Sequence, residues 1–166
     1  AQDHKPVGEG DVGPNTGGMG AYCPTPLMDQ DTLATVEREI FVPTIDALRR
    51  DGIEYRGVLY AGLMLTPGGP KVLEFNCRFG DPECQPLMAR LQADLVEVCW
   101  ATAAGALDAV DVSFDDRTAC CVVMCSEGYP GAYEKGRTIT GLADAAALGD
   151  PGEEVVVFHA GTRMTS

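Results

Sequence analysis

Basic side chains are scarce in this sequence. Only 12 Lys and Arg stand against 25 Asp and Glu, for a formal net charge of −13. Nucleic-acid backbones and anionic membrane surfaces are bound through clustered Lys and Arg, so this balance excludes both as partners. A small phosphorylated ligand stays open, provided that local cations, backbone N–H groups or a bridging metal offset the field. No apolar run has the length of a membrane span, and no charged, then apolar, then small-residue leader opens the chain. C-x-x-C pairs are missing as well. The seven cysteines (Cys23, Cys77, Cys84, Cys99, Cys120, Cys121, Cys125) are an odd set scattered through apolar stretches. That pattern reads as reduced, buried thiols of a cytoplasmic protein, not as zinc ligands or a disulfide framework.

What remains is the composition of a globular protein: 166 residues, 45% hydrophobic and 22% charged, enough for one domain or one and a half with a sizeable core. The chain begins at Ala1 without a Met and stops at Ser166 just after a strand-like run, so both ends are expected to be cuts in a longer protein. One stretch organises the rest: Lys71-Val72-Leu73-Glu74-Phe75-Asn76-Cys77-Arg78-Phe79-Gly80-Asp81-Pro82-Glu83. As an extended strand it places Leu73, Phe75, Cys77 and Phe79 on a buried side and Glu74, Asn76 and Arg78 on the other. Glu74 and Asn76 both offer oxygen, the donor Mg²⁺ prefers, with water and phosphates filling its other positions. Arg78, one pleat further, can neutralise charge on a transferring phosphoryl or acyl-phosphate group. The alternative is a solvated face with a Glu–Arg pair worth ~0–1 kcal/mol. Asp81-Pro82-Glu83 reads as a helix start, with Asp81 as N-cap and Pro82 at the first helical position.

Around this stretch the pattern predicts α+β architecture, an antiparallel sheet with helices packed on it, followed by part of a small mixed domain. Residues 1–26 are rich in glycine and proline. The run Gly13-Pro14-Asn15-Thr16-Gly17-Gly18-Met19-Gly20 follows neither common phosphate-loop spacing, so it is a surface loop or, through successive N–H groups, an anion nest. A helix is expected over 31–50, capped by Asp31 or Thr32 and kinked at Pro43. Residues 56–65 read as a buried strand, and Thr66-Pro67-Gly68-Gly69-Pro70 as the turn of a hairpin. Pairing Leu65 with Lys71 sets Gly62 opposite Glu74 and Tyr60 opposite Asn76, leaving open space beside Glu74. Asp94 with Glu97 opens a further helix towards Leu107, with Trp100 packed inside. Two more strands are expected, a buried one over 118–125 and one over 154–160 carrying a structural His159. A boundary near 113–117 divides 1–114 from 115–166.

Asp3-His4-Lys5, the run from Gly13 to Tyr22 and the run from Leu73 to Glu83 resemble the phosphoribosylamine–glycine ligase family of the ATP-grasp superfamily. Tyr60-Ala61-Gly62-Leu63-Met64, Gly128-Tyr129-Pro130-Gly131 and Phe158-His159-Ala160-Gly161-Thr162 resemble it in the same order, so the likeness covers nearly the whole chain. It implies that 1–114 is the metal-bearing lobe, in part, and 115–166 the truncated start of a small C-terminal domain. It implies a reaction in which ATP phosphorylates glycine and the amine of 5-phosphoribosylamine attacks the glycyl phosphate. The products are glycinamide ribonucleotide, ADP and phosphate, in purine biosynthesis. By the same resemblance Glu74 and Asn76 are ligands of Mg²⁺ or Mn²⁺, and Arg78 stabilises the transferring group. Asn15, Thr16, Gly17 and Gly18 form the floor where acyl phosphate and amine meet, and Asp3, Lys5, Asp81 and Glu83 contact substrate. The lobes that clamp adenine would lie upstream, so the isolated chain is expected to be inactive. Many ATP-grasp enzymes carry another acidic ligand on the preceding strand, and residues 56–65 have none. The alternatives are another ATP-grasp carboxylate–amine ligase or an inactive domain that retains the fold.

Overall fold

A computed structural model describes residues 1–164, with the exception of the Ala146 side chain. Residues 1–125 form one compact unit, and a second begins at Ser126. In the first, β1 (Gln2–Gly8) and β2 (Val12–Cys23) make an antiparallel hairpin, and β5 (Ala119–Val122) adds to the far side of β2. The glycine-rich run is therefore mostly strand, not loop. Its glycines admit close neighbours: a Cβ on Gly20 would stand 2.7 Å from the Cys121 carbonyl oxygen of β5. The hairpin is stapled where its register slips, by Thr16 Oγ1 donating to the Lys5 carbonyl at 2.8 Å and accepting from Gly18 N–H at 3.0 Å.

The expected helix over 31–50 is continuous but not uniform. It runs as α1 (Gln30–Val36), one π-helical turn (Glu37–Phe41) and α2 (Val42–Arg50). Asp29, not Asp31 or Thr32, is the cap, because its carboxylate accepts the Thr32 N–H at 2.8 Å. Pro43 lies in the first turn of α2, where the wider π turn ahead of it accommodates a residue with no N–H.

β3 (Tyr60–Thr66) and β4 (Gly69–Asn76) form the second hairpin. Tyr60 faces Asn76 and Gly62 faces Glu74, as expected, but a bulge at Leu73 shifts the rest so that Leu65 meets Pro70 instead of Lys71. The bulge also sets Val72 and Phe75 on one side, where they line a groove of about 400 Å³ with Pro43, Ala47 and Leu48. The expected burial of the apolar side is not observed: Leu73 is 65% exposed, Phe75 41% and Phe79 37%, and Cys77 is exposed too. Strand β4 ends at Asn76, so Cys77 and Phe79 fall outside the alternation, and the helical layer reaches only the Val72–Phe75 part.

Helix α3 (Cys84–Arg90) starts later than Asp81-Pro82 predicted. The Cys84 N–H is taken by the Gly80 carbonyl at 2.9 Å, and Asp81 instead accepts from Gln85 Nε2 at 3.0 Å. Helix α4 (Leu95–Ala104) is capped as expected, with Asp94 Oδ1 accepting from Val96 N at 2.8 Å and Glu97 N at 3.2 Å. It closes on Gly105 at φ 71, and the Arg56 guanidinium donates to the Ala103 carbonyl at 2.8 Å. Asp94→Ala is expected to lower unfolding free energy by about 1 kcal/mol, read as a shift of denaturation midpoint at constant m-value.

The core is smaller than composition suggested. Among the described residues the buried apolar side chains are Ala21, Cys23, Val36, Ile40 and Ala101, with Pro82 and Pro86 beside them. Trp100 is 78% exposed rather than packed, and the 118–125 strand lies at a sheet edge with Val122 75% exposed. The cysteines are all free, but only Cys23 is buried; Cys77, Cys99, Cys120 and Cys125 face outward. From Ser126 on, α5 (Leu142–Ala146) is the regular element, and residues 154–160 form no strand, since no described segment there pairs with them. His159 Nδ1 lies 3.2 Å from Thr162 Oγ1. No described helix is long and apolar enough to cross a membrane.

Candidate active site

Four segments of the first unit converge on one cavity of about 200 Å³: β1 through Lys5, β2 through Gly17, the second hairpin through Tyr60 and Glu74, and the following turn through Arg78, Gly80, Asp81 and Glu83. Lys5 and Asp3 leave β1 on the same side. Their ion pair is 2.5 Å long, with the Asp3 side chain 9% exposed, and Lys5 Nζ also donates to the Gly17 carbonyl at 3.4 Å. The hydrogen bond to Asp3 holds the Lys5 ammonium above its usual pKa; burial opposes this, and the charges of Asp3, Glu83 and Glu74 add to it. Lys5 is a fixed cation at neutral pH.

Gly18 makes the close approach between β2 and the 78–83 turn. Its φ is +145°, and a Cβ there would lie 2.3 Å from Pro82 Cδ and 2.8 Å from Asp3 Oδ1. Glu74 and Asn76 face one way on β4, with Asn76 Nδ2 donating to Glu74 Oε1 at 3.1 Å. That bond turns the amide so that Asn76 Oδ1 and Glu74 Oε2 remain as two oxygen donors. Among the described residues no set of three His, Cys, Asp or Glu is placed to hold a metal ion. The pair therefore fits a Mg²⁺-like cation that takes its other ligands from water and phosphates, and does not fit an all-protein cage. The space expected beside Glu74 is used by Glu74 itself, whose Cγ would stand 3.1 Å from a Cβ on Gly62.

Arg78 is exposed, lines the cavity and donates to the neighbouring Phe79 carbonyl at 3.0 Å. Glu83 is the contrast, a carboxylate only 4% exposed. Its Oε1 accepts the Tyr60 hydroxyl at 2.7 Å, and its Oε2 has no hydrogen-bond partner among the described residues. Burial, then the bond to Glu83, pushes the Tyr60 phenol well above its ordinary pKa.

Of the residues singled out from sequence, Lys5, Gly17, Glu74, Arg78, Asp81 and Glu83 line the cavity, and Asn76 joins them through Glu74. Asp3 and Gly18 stand directly behind. Asn15 is exposed and paired with Pro6 on the strand, while the Thr16 hydroxyl is occupied by backbone. Neither lines the cavity. Tyr60 and Gly80 do, and sequence reasoning did not select them as site residues. The register that set Tyr60 opposite Asn76 carried the signal for the first. Gly80 had none, since what requires glycine is a Glu83 carboxylate 2.4 Å from where its Cβ would be.

Residues 1–84 match the family model described as phosphoribosylglycinamide synthetase, ATP-grasp (A) domain, and residues 119–166 match its C domain. A phosphoribosylamine–glycine ligase of Rhodopirellula baltica is 62% identical over 98% of this chain and 37% of its own length. The human trifunctional purine biosynthetic protein adenosine-3 is 53% identical over 99% of this chain and 16% of its own. A crystal structure of phosphoribosylamine–glycine ligase from Thermotoga maritima superposes with a TM-score of 0.73 at 38% identity, covering 81% of this chain and 34% of that one. The chain thus spans little more than a third of the Rhodopirellula protein.

Proposed function

Because the chain belongs to the phosphoribosylglycinamide synthetase family, we propose that it forms the metal-bearing, acyl-transfer part of a ligase that joins glycine to 5-phosphoribosylamine with ATP as co-substrate. The observation that carries this is the meeting of two cations, Lys5 and Arg78, with the Glu74–Asn76 oxygen pair on one small cavity. Glu74 and Asn76 are the residues that would hold Mg²⁺ or Mn²⁺, and the chemistry such an ion would supply there is charge compensation for nucleotide phosphates. Arg78, exposed and bonded to the Phe79 carbonyl, meets the charge that develops on the transferring phosphoryl group. Lys5, pinned by Asp3, supplies a second positive charge at fixed position. Gly17 and Gly18 form the floor, with Asn15 and Thr16 bracing the strand that carries them. Asp3, Asp81 and Glu83 face the glycine and amine substrates. Seven unpaired cysteines suit a reducing, cytoplasmic setting.

The test is a chimera in which this chain replaces the matching segment of the Rhodopirellula baltica ligase. It is expected to release ADP only with glycine and phosphoribosylamine present, and to form glycinamide ribonucleotide. Turnover with a different amine acceptor would point to another ATP-grasp ligase. A folded chimera with no ADP release would leave an inactive domain.

A further inference from the structure

Gln85, in the first turn of α3, makes a single side-chain hydrogen bond. Its amide nitrogen donates to Asp81 Oδ1 at 3.0 Å, while its amide oxygen is closed off from solvent and has no hydrogen-bond partner among the described residues. A buried carbonyl oxygen without a donor is destabilising, and a methionine of the same length would fill the space without that penalty. Packing therefore does not account for a glutamine here. The bond to Asp81 does.

The Asp81 end of that bond is open. Asp81 is exposed and lines the cavity with Lys5, Glu74 and Arg78, and its Oδ2 takes no hydrogen bond among the described residues. Helix capping does not claim the carboxylate, since the Cys84 N–H belongs to the Gly80 carbonyl. The backbone around both residues is anchored. Pro82 and Pro86 are fully buried, and the Leu87 N–H goes to the Glu83 carbonyl at 3.3 Å. What stays soft is the Asp81 carboxylate, because an exposed side chain turns between rotamers unless one of its atoms is tied.

We infer that Gln85 is a positioning residue for the ligation. It holds Asp81 Oδ1, so that Oδ2 stands at a fixed place on the cavity wall for a hydrogen-bond donor of bound glycine or phosphoribosylamine. Gln85 does not itself line the cavity, and it acts through Asp81. The inference rests on the ligase reading, under which Asp81 faces those substrates.

In the chimera, Gln85→Met removes the bond and keeps the bulk. The partnerless oxygen goes with it, so the variant is expected to melt no lower than wild type. KM for glycine or for phosphoribosylamine, titrated separately, is expected to rise about tenfold, with KM for ATP unchanged. Gln85→Glu sets a second carboxylate against Asp81 and is expected to raise the same KM further. With Asp81→Ala already in place, Gln85→Met is expected to change no kinetic constant, since the residue it acts through is gone. Unchanged KM values for both amines in Gln85→Met, at any melting temperature, would reduce the bond to a structural tie and overturn the inference. Losses that add in the double variant would overturn it as well. A wild-type chimera without turnover would overturn the ligase reading itself, and this inference with it.

Discussion

Glu74→Ala in the chimera is expected to lower turnover by about 10²–10³-fold while leaving the melting temperature within a degree or so. The size of the loss follows from the ligand count. Asn76 and Glu74 supply two oxygens, and among the described residues no set of three His, Cys, Asp or Glu is placed to hold a metal ion. On the proposed reading, removing one of two protein ligands would leave phosphate charge uncompensated in the transition state, an interaction in the range of other preorganised electrostatic contacts. The melting temperature should stay because Glu74 is exposed and gives up one hydrogen bond, to the half-buried Asn76. Raising the Mg²⁺ concentration should recover part of the activity, since mass action offsets a weakened site. Turnover within threefold of wild type would place the cation elsewhere.

Gly18→Ala is the counterpart, a large loss of stability. The added methyl would stand 2.3 Å from Pro82 Cδ, 2.8 Å from Asp3 Oδ1 and 3.0 Å from the Asp81 carbonyl, at a φ of +145°. Two of these neighbours are ring and backbone atoms that cannot rotate away. Overpacking and backbone strain each cost about 1–3 kcal/mol, so a loss of about 2–5 kcal/mol is expected. Thermal melting should show this as a fall of roughly 5–15 °C. Gly17→Ala is the control, one residue away with nothing within 4 Å of the new Cβ. Equal melting temperatures for the two variants would mean that β2 and the 78–83 turn are not in contact.

The site was legible in the sequence where its logic is local. Alternation along one strand put Glu74 and Asn76 on one face, and pairing across a short turn placed Gly62 and Tyr60 opposite them. Asp94 capped its helix as its spacing required. What failed depended on partners that a local pattern does not encode. Leu73, Phe75 and Phe79 were expected inside because apolar residues alternate there, yet burial needs a covering layer, and α2 leaves an open groove over Val72 and Phe75. Asp81 looked like a cap, but the Gly80 carbonyl had already taken the Cys84 N–H. Residues 13–20 looked like loop because glycine disfavours strands; two flanking strands overrode that preference.

The bulge in β4 separates two kinds of residue by their dispensability. Leu73 has no residue opposite it, since Gly62 pairs with Glu74 and Leu63 with Val72. Were it deleted, the two halves of the ladder would join in a single register, with each remaining side chain still on its own side of the sheet. A deletion anywhere from Glu74 to Asn76 would instead swap the cavity-facing and groove-facing residues. Within β4 the ladder thus absorbs a change of length at Leu73, immediately before Glu74.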